Sequence, residues 1–206
     1  MSILIRAVTV YTFLRYCNMS TLEKEVLDCG AGGDCPPLSV FHEHGYKTHG
    51  IDISESQLDL ASKFCHEKGI DLNIVKGDMR SLSFQNESLS FVYSFNSIFH
   101  MTKSDIALSM KEIDRVLKPG GLCLVNFLST EDEWFGKGDQ IGEGEYLQDE
   151  RSEKVIHSYF GYNEADRFFV NYEILRKEKR TIELYQDGGK YIQSYIDYIA
   201  KKKDRL

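Results

Sequence analysis

The sequence predicts an α/β protein built on a Rossmann-like, doubly wound and mostly parallel seven-stranded sheet with an antiparallel C-terminal hairpin. Short continuous apolar runs alternate with segments of helical periodicity, which is the pattern of strands covered on both faces. This strand–helix–strand repetition implies right-handed crossovers and therefore a parallel sheet. Two later segments, YEILRKEKRTIELY and KYIQSYIDYIA, alternate as the strands of a hairpin do.

Size and composition bound the class of protein. The chain has 206 residues and a net charge of −7, with 42% hydrophobic and 28% charged residues, which fits one ordinary soluble domain. The negative charge disfavours a nucleic-acid partner. The sequence contains no run of 18 apolar residues, so we expect no membrane span. Five irregularly spaced cysteines without a CxxC pair predict no metal site and reduced thiols in a cytoplasmic protein. We expect a monomer or a homodimer.

The beginning of the chain is predicted to be a helical cap. Arg6 and Arg15 interrupt its apolar residues and no small-residue cleavage site follows, so it does not fit a signal peptide; Met19 is an alternative start. We divide the chain into a cap over residues 1–25, a ligand-binding core over 26–130, an acidic insertion or lid over 131–160, and a helix with strands over 161–206 that completes the same domain.

The core elements are predicted in order from local signals. The strands are the runs EVLDCG, KTHGIDI, LNIVKGD, LSFVYSF and GGLCLVNFL. Pro36 and the proline after it suit the first turn of a helix. Ser54 with Gln57 three residues later forms a capping-box pattern for another helix, which Gly69 would end. Thr102 marks the start of a third helix, which ends at KPGG.

The segment from Glu131 to Glu153 departs from this alternation. It holds nine acidic residues against two basic ones, together with four glycines. A stretch this long without a clear period predicts a lid, a binding loop or a disordered insertion after the fifth strand. Beyond it, NEADRFF indicates a short helix, and Asp187-Gly188-Gly189 indicates the turn of the C-terminal hairpin.

A glycine-rich loop, VLDCGAGGD, follows the first strand. Its glycines at positions 30, 32 and 33 would let backbone approach a ligand closely at the carboxyl end of the sheet. Asp52 falls 20 residues after Gly32, at the end of the second strand, where an acid accepts hydrogen bonds from both hydroxyls of a ribose. Asp78 closes the third strand. Each acid alone also fits a helix cap or turn, but three acids that end successive strands, Asp28, Asp52 and Asp78, predict a nucleoside site.

The loop also indicates which nucleoside ligand it suits. A dinucleotide fingerprint requires glycine where Cys35 stands, and the GK[ST] of a phosphate-binding loop is missing. Asp34 would repel a pyrophosphate, and no nearby Lys or Arg offsets its charge. A positively charged nucleoside without phosphate fits better, and S-adenosylmethionine, with its sulfonium and ammonium groups, meets these conditions.

These motifs resemble those of the class I S-adenosylmethionine-dependent methyltransferases, and most closely the small branch often labelled type 11. The resemblance covers residues from about Val26 to Ser129. VLDCGAGGD resembles the family's first motif, HGIDIS the strand that ends in the ribose acid, and VKGDMRSLSF the adenine segment. FVYSFNSIFHM resembles the fourth strand with its loop, and EIDRVLKPGGLCLVNF the helix and fifth strand. The family usually has a further glycine where this chain has Asp34.

The resemblance implies a set of cofactor-binding residues. Backbone at Gly30, Ala31 and Gly32 would line the methionine portion, and Asp28 would orient that loop and the ammonium. The other expected contacts are the loop residue Asp34, Asp52 on the ribose with Ile53 on the adenine, Asp78 on the adenine amino group with Met79 beside the ring, and Phe95 and Asn96 beside the sulfonium. S-adenosylhomocysteine would be the product, and no metal is expected.

The acceptor side has fewer candidate residues. His100 follows the fourth strand near the expected mouth of the site and is the candidate general base, since histidine titrates near neutral pH. A histidine that only borders the cofactor is the alternative interpretation. Candidate acceptor contacts are Tyr16, Trp134, Tyr146 and His157. The acidic insertion would either close over a cationic acceptor or form a solvated surface loop.

Four functions are compatible with these features. The first is methyl transfer to a small-molecule acceptor. Methyl transfer to protein or RNA is the second, although no basic patch suggests RNA. A non-catalytic regulatory module that binds S-adenosylmethionine would share the same cofactor residues. A nucleotide-dependent oxidoreductase is disfavoured by Cys35 and Asp34.

Overall fold

The computed structural model describes residues 8–150, 153–186 and 189–204. The helices are α1 (Val8–Met19), α2 (Leu38–Glu43), α3 (Glu55–Lys68) and α4 (Lys103–Val116), with a 3₁₀ helix at Glu164–Phe169. The strands are β1 (Glu25–Cys29), β2 (Lys47–Asp52), β3 (Ile74–Lys76), β4 (Leu89–Ser94), β5 (Leu117–Ser129), β6 (Asp139–Gly142), β7 (Glu145–Glu150), β8 (Glu153–Phe160), β9 (Tyr172–Gln186) and β10 (Gly189–Lys202).

The main sheet has the strand order β3-β2-β1-β4-β5-β10-β9. Strands β1 to β5 are parallel, whereas β10 runs antiparallel to both β5 and β9. This confirms the expected mostly parallel sheet with an antiparallel C-terminal hairpin. The count of seven strands was too low, because β8, β7 and β6 extend the sheet from β5 to ten strands. The turn predicted at Asp187-Gly188-Gly189 lies partly outside the described residues, and Gly189 opens β10 opposite Gln186.

The predicted capping signals set the ends of the longer helices. The Ser54 hydroxyl accepts a hydrogen bond from the Gln57 amide at 3.4 Å, and Gly69 ends α3 with a left-handed φ of 65°. The Thr102 hydroxyl accepts a hydrogen bond from the Asp105 amide at 3.2 Å and starts α4. The helix ends at Val116, just before KPGG, and this sequence already belongs to β5, which follows α4 directly.

Helices cover both faces of the sheet and create two hydrophobic layers. On one face, α4 and the 3₁₀ helix pack on the sheet through residues that include Ile106, Ile113 and Phe169. On the other face, α1, α2 and α3 pack on a layer that includes Phe13, Phe41 and Tyr93. The five cysteines are free, and three of them are buried. Within the described ranges, no helix combines the length and apolar character needed to cross a membrane.

The acidic segment folds into strands that the sequence analysis did not predict. After a turn, β6, β7 and β8 form an antiparallel meander. The end of β8 continues the main sheet by pairing in parallel with the end of β5, through Leu128 with Tyr159 and Ser129 with Phe160. The meander therefore stands at the carboxyl edge of the parallel strands, where ligands bind in folds of this type.

Stability should depend strongly on the α4 face that packs on the sheet. Ile113 is fully buried, whereas Leu108 on the same helix is 52% exposed. Ile113→Ala should lower the free energy of unfolding by about 2–5 kcal/mol, because it removes buried methyl groups and leaves a cavity. Leu108→Ala should change it by less than about 0.5 kcal/mol. Urea unfolding of both variants measures this, and equal losses would contradict the packing described.

Candidate functional site

Two cavities lie side by side at the carboxyl edge of the parallel strands. The strand-tip cavity, of about 300 Å³, is bordered by the ends of β1, β2 and β3 and by the loop between β4 and α4. The insertion cavity, of about 360 Å³, is bordered by the same loop, by β7 and β8, and by β10. His100 lines both cavities. Adjacent residues of β8 point to opposite sides, so Ile156 lines the first cavity and His157 the second.

The glycine loop after β1 is packed too tightly for side chains at two positions. Gly30 has a φ of 105°, and a Cβ built on it would lie 2.0 Å from the Ser97 hydroxyl oxygen. A Cβ on Gly32 would lie 2.5 Å from Gln57 Cβ and 2.6 Å from Asp52 Oδ2. Real Cβ atoms essentially never approach this closely, so the loop keeps its position only with glycine at both sites.

Asp52 fixes this loop to the end of β2. Its Oδ2 accepts a hydrogen bond from the Gly32 amide at 2.9 Å, and its Oδ1 accepts one from the Ser54 amide at 2.9 Å. The carboxylate also lines the strand-tip cavity, beside Ile53, whose side chain is 61% exposed. A held carboxylate next to an exposed apolar side chain suits a ligand with adjoining hydroxyls and a flat ring.

Asp78 lies across the same cavity in an ion pair that the sequence analysis missed. The Arg80 guanidinium donates to both Asp78 oxygens, with the shortest contact at 2.7 Å, and reaches Asp105 at 3.3 Å. Hydrogen bonds from Arg80 hold the pKa of Asp78 below its ordinary value. Met79 lines the cavity beside this pair. The predicted adenine-side residues are therefore brought together here, with Asp78 kept ionised.

Asp28 is buried in β1 and lines neither cavity. Its side chain is 1% exposed, and neither carboxyl oxygen forms a hydrogen bond of normal geometry. Burial raises the pKa of Asp28 to about 8; the neighbouring Tyr93 hydroxyl lowers it, and the Asp52 carboxylate raises it further. The structure thus places this predicted cofactor residue under the loop as a largely protonated acid at neutral pH.

Besides Asn96, four other predicted cofactor residues also lie outside the strand-tip cavity, namely Ala31, Gly32, Asp34 and Phe95. Ala31 is buried, and its amide donates to the Ile51 carbonyl at 2.9 Å. Asp34 is exposed on the loop and lines neither cavity. Phe95 turns into the hydrophobic layer of α1, with the Arg180 guanidinium 5.8 Å from its ring centre. The positions of these side chains depend on how the loops pack, which a sequence motif does not specify.

Asn96 lines the insertion cavity and is held there by a partner on β5. It adopts a left-handed φ of 57°, which asparagine tolerates better than most residues. The Asn126 side-chain oxygen accepts from the Asn96 amide, and the Asn126 amide donates to the Asn96 side-chain oxygen, both at 2.7 Å. Asn126 is fully buried and is a positioning residue that the sequence analysis did not identify.

The insertion cavity combines aromatic faces with polar groups. Its aromatic residues are Phe99, Trp134, Tyr159 and Tyr195, and its carboxylates are Asp132 and Asp149. Gln148 ties the wall together, since its amide nitrogen donates to the Trp134 and Lys137 carbonyls and its oxygen accepts from the Tyr159 hydroxyl. Apart from Trp134, none of these residues was predicted, because contacts between the insertion and β10 create the cavity.

Asp132 anchors the start of the insertion to β10. It is 6% exposed, and its two oxygens accept hydrogen bonds from the Trp134 and Ser194 amides, each at 2.9 Å. Burial raises the pKa of Asp132, although these hydrogen bonds and His157 act against the shift. The carboxylate is therefore fixed on the cavity wall beside His157.

The structure brings two predicted acceptor-side histidines together. The rings of His100 and His157 meet edge to face with centroids 4.7 Å apart. Of the four candidate acceptor contacts, Trp134 and His157 line the insertion cavity, and the other two do not. Tyr146 packs between the Phe135 and Tyr159 rings on the meander. Tyr16 lies on α1, which packs against the opposite layer of the sheet.

The described residues contain no group of three or more His, Cys, Asp or Glu side chains that could hold a metal ion. The side chains that line the two cavities include carboxylates, imidazoles, amides, aromatic rings and the Arg80 guanidinium.

The sequence is similar to those of known methyltransferases. The sequence model of a family described as a methyltransferase domain matches residues 27–125. A sterol 24-C-methyltransferase of Pneumocystis carinii is 30% identical over 190 residues, which are 85% of this chain and 48% of that protein. The chain spans about half the length of such curated relatives.

Two solved structures share the fold. A protein from Pyrococcus horikoshii superimposes with a TM-score of 0.74 at 21% identity, covering 96% of this chain and 90% of that one. A SAM-dependent methyltransferase from Methanosarcina mazei gives a TM-score of 0.71 at 23% identity, covering 93% and 98%.

Gly32→Ala should disrupt the strand-tip cavity, because the new Cβ displaces the Asp52 carboxylate and Gln57. We expect at least a ten-fold loss of affinity for S-adenosylhomocysteine, measured by calorimetry, in a chain that remains folded by circular dichroism. Gly161→Ala is the matched control, since a Cβ there meets no atom within 4 Å. Unchanged binding by the Gly32 variant would show that the loop does not form the ligand site.

Asp28 should make folding stability depend on pH. Its pKa of about 8 in the folded chain exceeds the ordinary value of 3.8, so between about pH 4 and pH 8 the folded chain holds a proton that the unfolded chain has lost. Stability from this group is therefore present at low pH and is lost as the pH rises through that window. Asp28→Asn should reduce the loss between pH 5 and pH 8 by on the order of 1–3 kcal/mol. Urea unfolding at both pH values tests this, and parallel pH curves for the two proteins would contradict it.

Proposed function

We propose that this chain, which belongs to the class I S-adenosylmethionine-dependent methyltransferases, transfers the methyl group of S-adenosylmethionine to a small organic acceptor. The observation that carries the proposal is the shared border of the two cavities at His100. A donor in the strand-tip cavity and an acceptor in the insertion cavity would meet at this residue.

The charges of the strand-tip cavity support a cationic donor. Its described lining contains three carboxylates, from Asp52, Asp78 and Asp105, against one guanidinium, from Arg80. Such a cavity attracts a sulfonium and an ammonium and repels a pyrophosphate. Asp52 would accept hydrogen bonds from the ribose hydroxyls, Ile53 and Met79 would flank the adenine, and Asp78 would accept from its amino group.

The backbone of the glycine loop supports the same donor. Gly30 lines the strand-tip cavity, and Gly32 packs so closely on Asp52 and Gln57 that a Cβ would displace the carboxylate from the cavity wall. When bound, S-adenosylmethionine supplies an electrophilic methyl group on its sulfonium. The task of the chain is then to bring an acceptor atom into line with that methyl group and to exclude water, which alone can supply much of the rate.

His100 would take up the proton from an acceptor that loses one during methyl transfer. Its ring borders both cavities and contacts the His157 ring, so it is positioned where the acceptor atom would be methylated. Imidazole has a basicity suited to this step near neutral pH.

The insertion cavity favours a polar acceptor over a sterol. Sterols present almost entirely hydrocarbon surface, and the relatives named as sterol methyltransferases are about twice as long as this chain. Burying Asp132, Gln148 and Gln193 against hydrocarbon would remove water from polar groups without replacing its hydrogen bonds, which is costly. A compact acceptor with polar groups avoids this cost.

The proposal is tested by S-adenosylhomocysteine release across a panel of small amines, alcohols, thiols and carboxylic acids. We expect release with at least one acceptor class. His100→Gln should lower kcat by roughly 10²–10⁴ for an acceptor that must lose a proton, while S-adenosylmethionine affinity changes only a few-fold.

The matched control is His66→Gln, which changes an exposed histidine on α3. Tight S-adenosylmethionine binding with no product from any acceptor would favour a non-catalytic binding module. Full activity of the His100 variant would remove the role of general base.

A further inference from the structure

We infer that the acceptor is an organic amine, bound as its ammonium form between the aromatic rings of the insertion cavity and the Asp132 carboxylate. This inference rests on the proposed methyltransferase function and specifies its substrate class. Three features of the insertion cavity support it, which are its charge, its aromatic rings and its position beside the two histidines.

The charge of the cavity favours a cation. Its described lining contains the carboxylates of Asp132 and Asp149 and no lysine or arginine. Asp149 is at the rim, where Lys154 pairs with it at 3.2 Å. Asp132 is nearly buried and is held by backbone amides rather than by a cation. An anionic acceptor would be repelled by this inner carboxylate, whereas an ammonium would be attracted.

The rings favour the same ligand. Phe99, Trp134, Tyr159 and Tyr195 line the cavity, and aromatic faces attract ammonium groups, most strongly where water is excluded. Trp134 and Tyr195 each already hold a cation near the ring, with Lys137 Nζ at 4.7 Å and the Arg180 guanidinium at 4.5 Å. Neither cation belongs to the cavity lining, so these contacts leave the interior without a positive charge.

The position of the histidines supplies the chemistry that an amine requires. An ammonium has no lone pair, so the bound amine must lose a proton before its nitrogen can attack. His100 lies at the border of the two cavities and contacts the ring of His157 in the insertion cavity, and this pair would accept that proton. The nitrogen lone pair then forms the bond to the methyl carbon, and the carbon–sulfur bond breaks with its electron pair retained by sulfur.

The test compares a cation with its uncharged isostere. The wild-type chain saturated with S-adenosylhomocysteine is titrated at pH 7 with 2-phenylethylamine and with 2-phenylethanol, and binding is measured by calorimetry. We expect the amine to bind at least ten-fold more tightly than the alcohol. Asp132→Asn should reduce this preference at least five-fold.

Two further variants separate charge from folding. Asp149→Asn removes the rim carboxylate that pairs with Lys154 and should reduce the preference about two-fold. Asp139→Asn removes an exposed acid of the same segment that lies outside the cavity and should leave the preference unchanged.

The outcomes distinguish this inference from the proposed function. If S-adenosylhomocysteine binds but the amine binds no better than the alcohol, or if neither probe binds, the amine assignment is wrong and the methyltransferase proposal stands. An amine preference that persists in both Asp132→Asn and Asp149→Asn also overturns it. Failure of S-adenosylhomocysteine to bind would remove the proposed function and the amine assignment together.

Discussion

The close approach of the glycine loop to Asp52 is the constraint on which the rest of the site depends. The Asp52 carboxylate accepts hydrogen bonds from the amides of Gly32 and Ser54, so it joins the loop after β1 to the start of α3. Neither Gly30 nor Gly32 has room for a Cβ, because Ser97, Gln57 and Asp52 itself occupy that space. The strand-tip cavity therefore exists because backbone and one acid are packed together at the tips of three parallel strands.

The insertion cavity depends on a different part of the structure, the meander of β6, β7 and β8. Asp132 joins its start to β10, Gln148 holds its turn, and the end of β8 pairs with β5. Because neighbouring residues of β8 face opposite sides, one strand forms a wall for both cavities. The acids of this segment have different roles. Some lie exposed on the meander, whereas Asp132 holds the start of the segment against β10 and contributes negative charge to the cavity.

The sequence carried local information well and long-range information poorly. Ser54, Gly69 and Thr102 act through neighbours three or four residues away, so their capping roles were predictable. Asp52 and Asp78 were predictable as cavity residues because parallel strands end at one edge. Asn126 and Gln148 were not, since their partners lie on other elements. The meander was not predicted because acids and glycines obscure the alternation of its strands. Tyr16 and Tyr146 were predicted to contact the acceptor, but both pack in hydrophobic clusters instead.

Whether Asp52 and the glycine loop form the ligand site is tested most directly by the affinity of S-adenosylhomocysteine. Calorimetry measures it for the wild-type chain, for Asp52→Ala and for Asp59→Ala. We expect binding by the wild type and a loss of at least about 1–3 kcal/mol for Asp52→Ala, because the protein carboxylate that would accept the ligand's hydrogen bonds is removed. Asp59 is an exposed acid on α3, so its variant should bind as the wild type does. Equal affinity of all three proteins, or preferential binding of a nicotinamide dinucleotide, would contradict the assignment of Asp52 to an S-adenosylmethionine site.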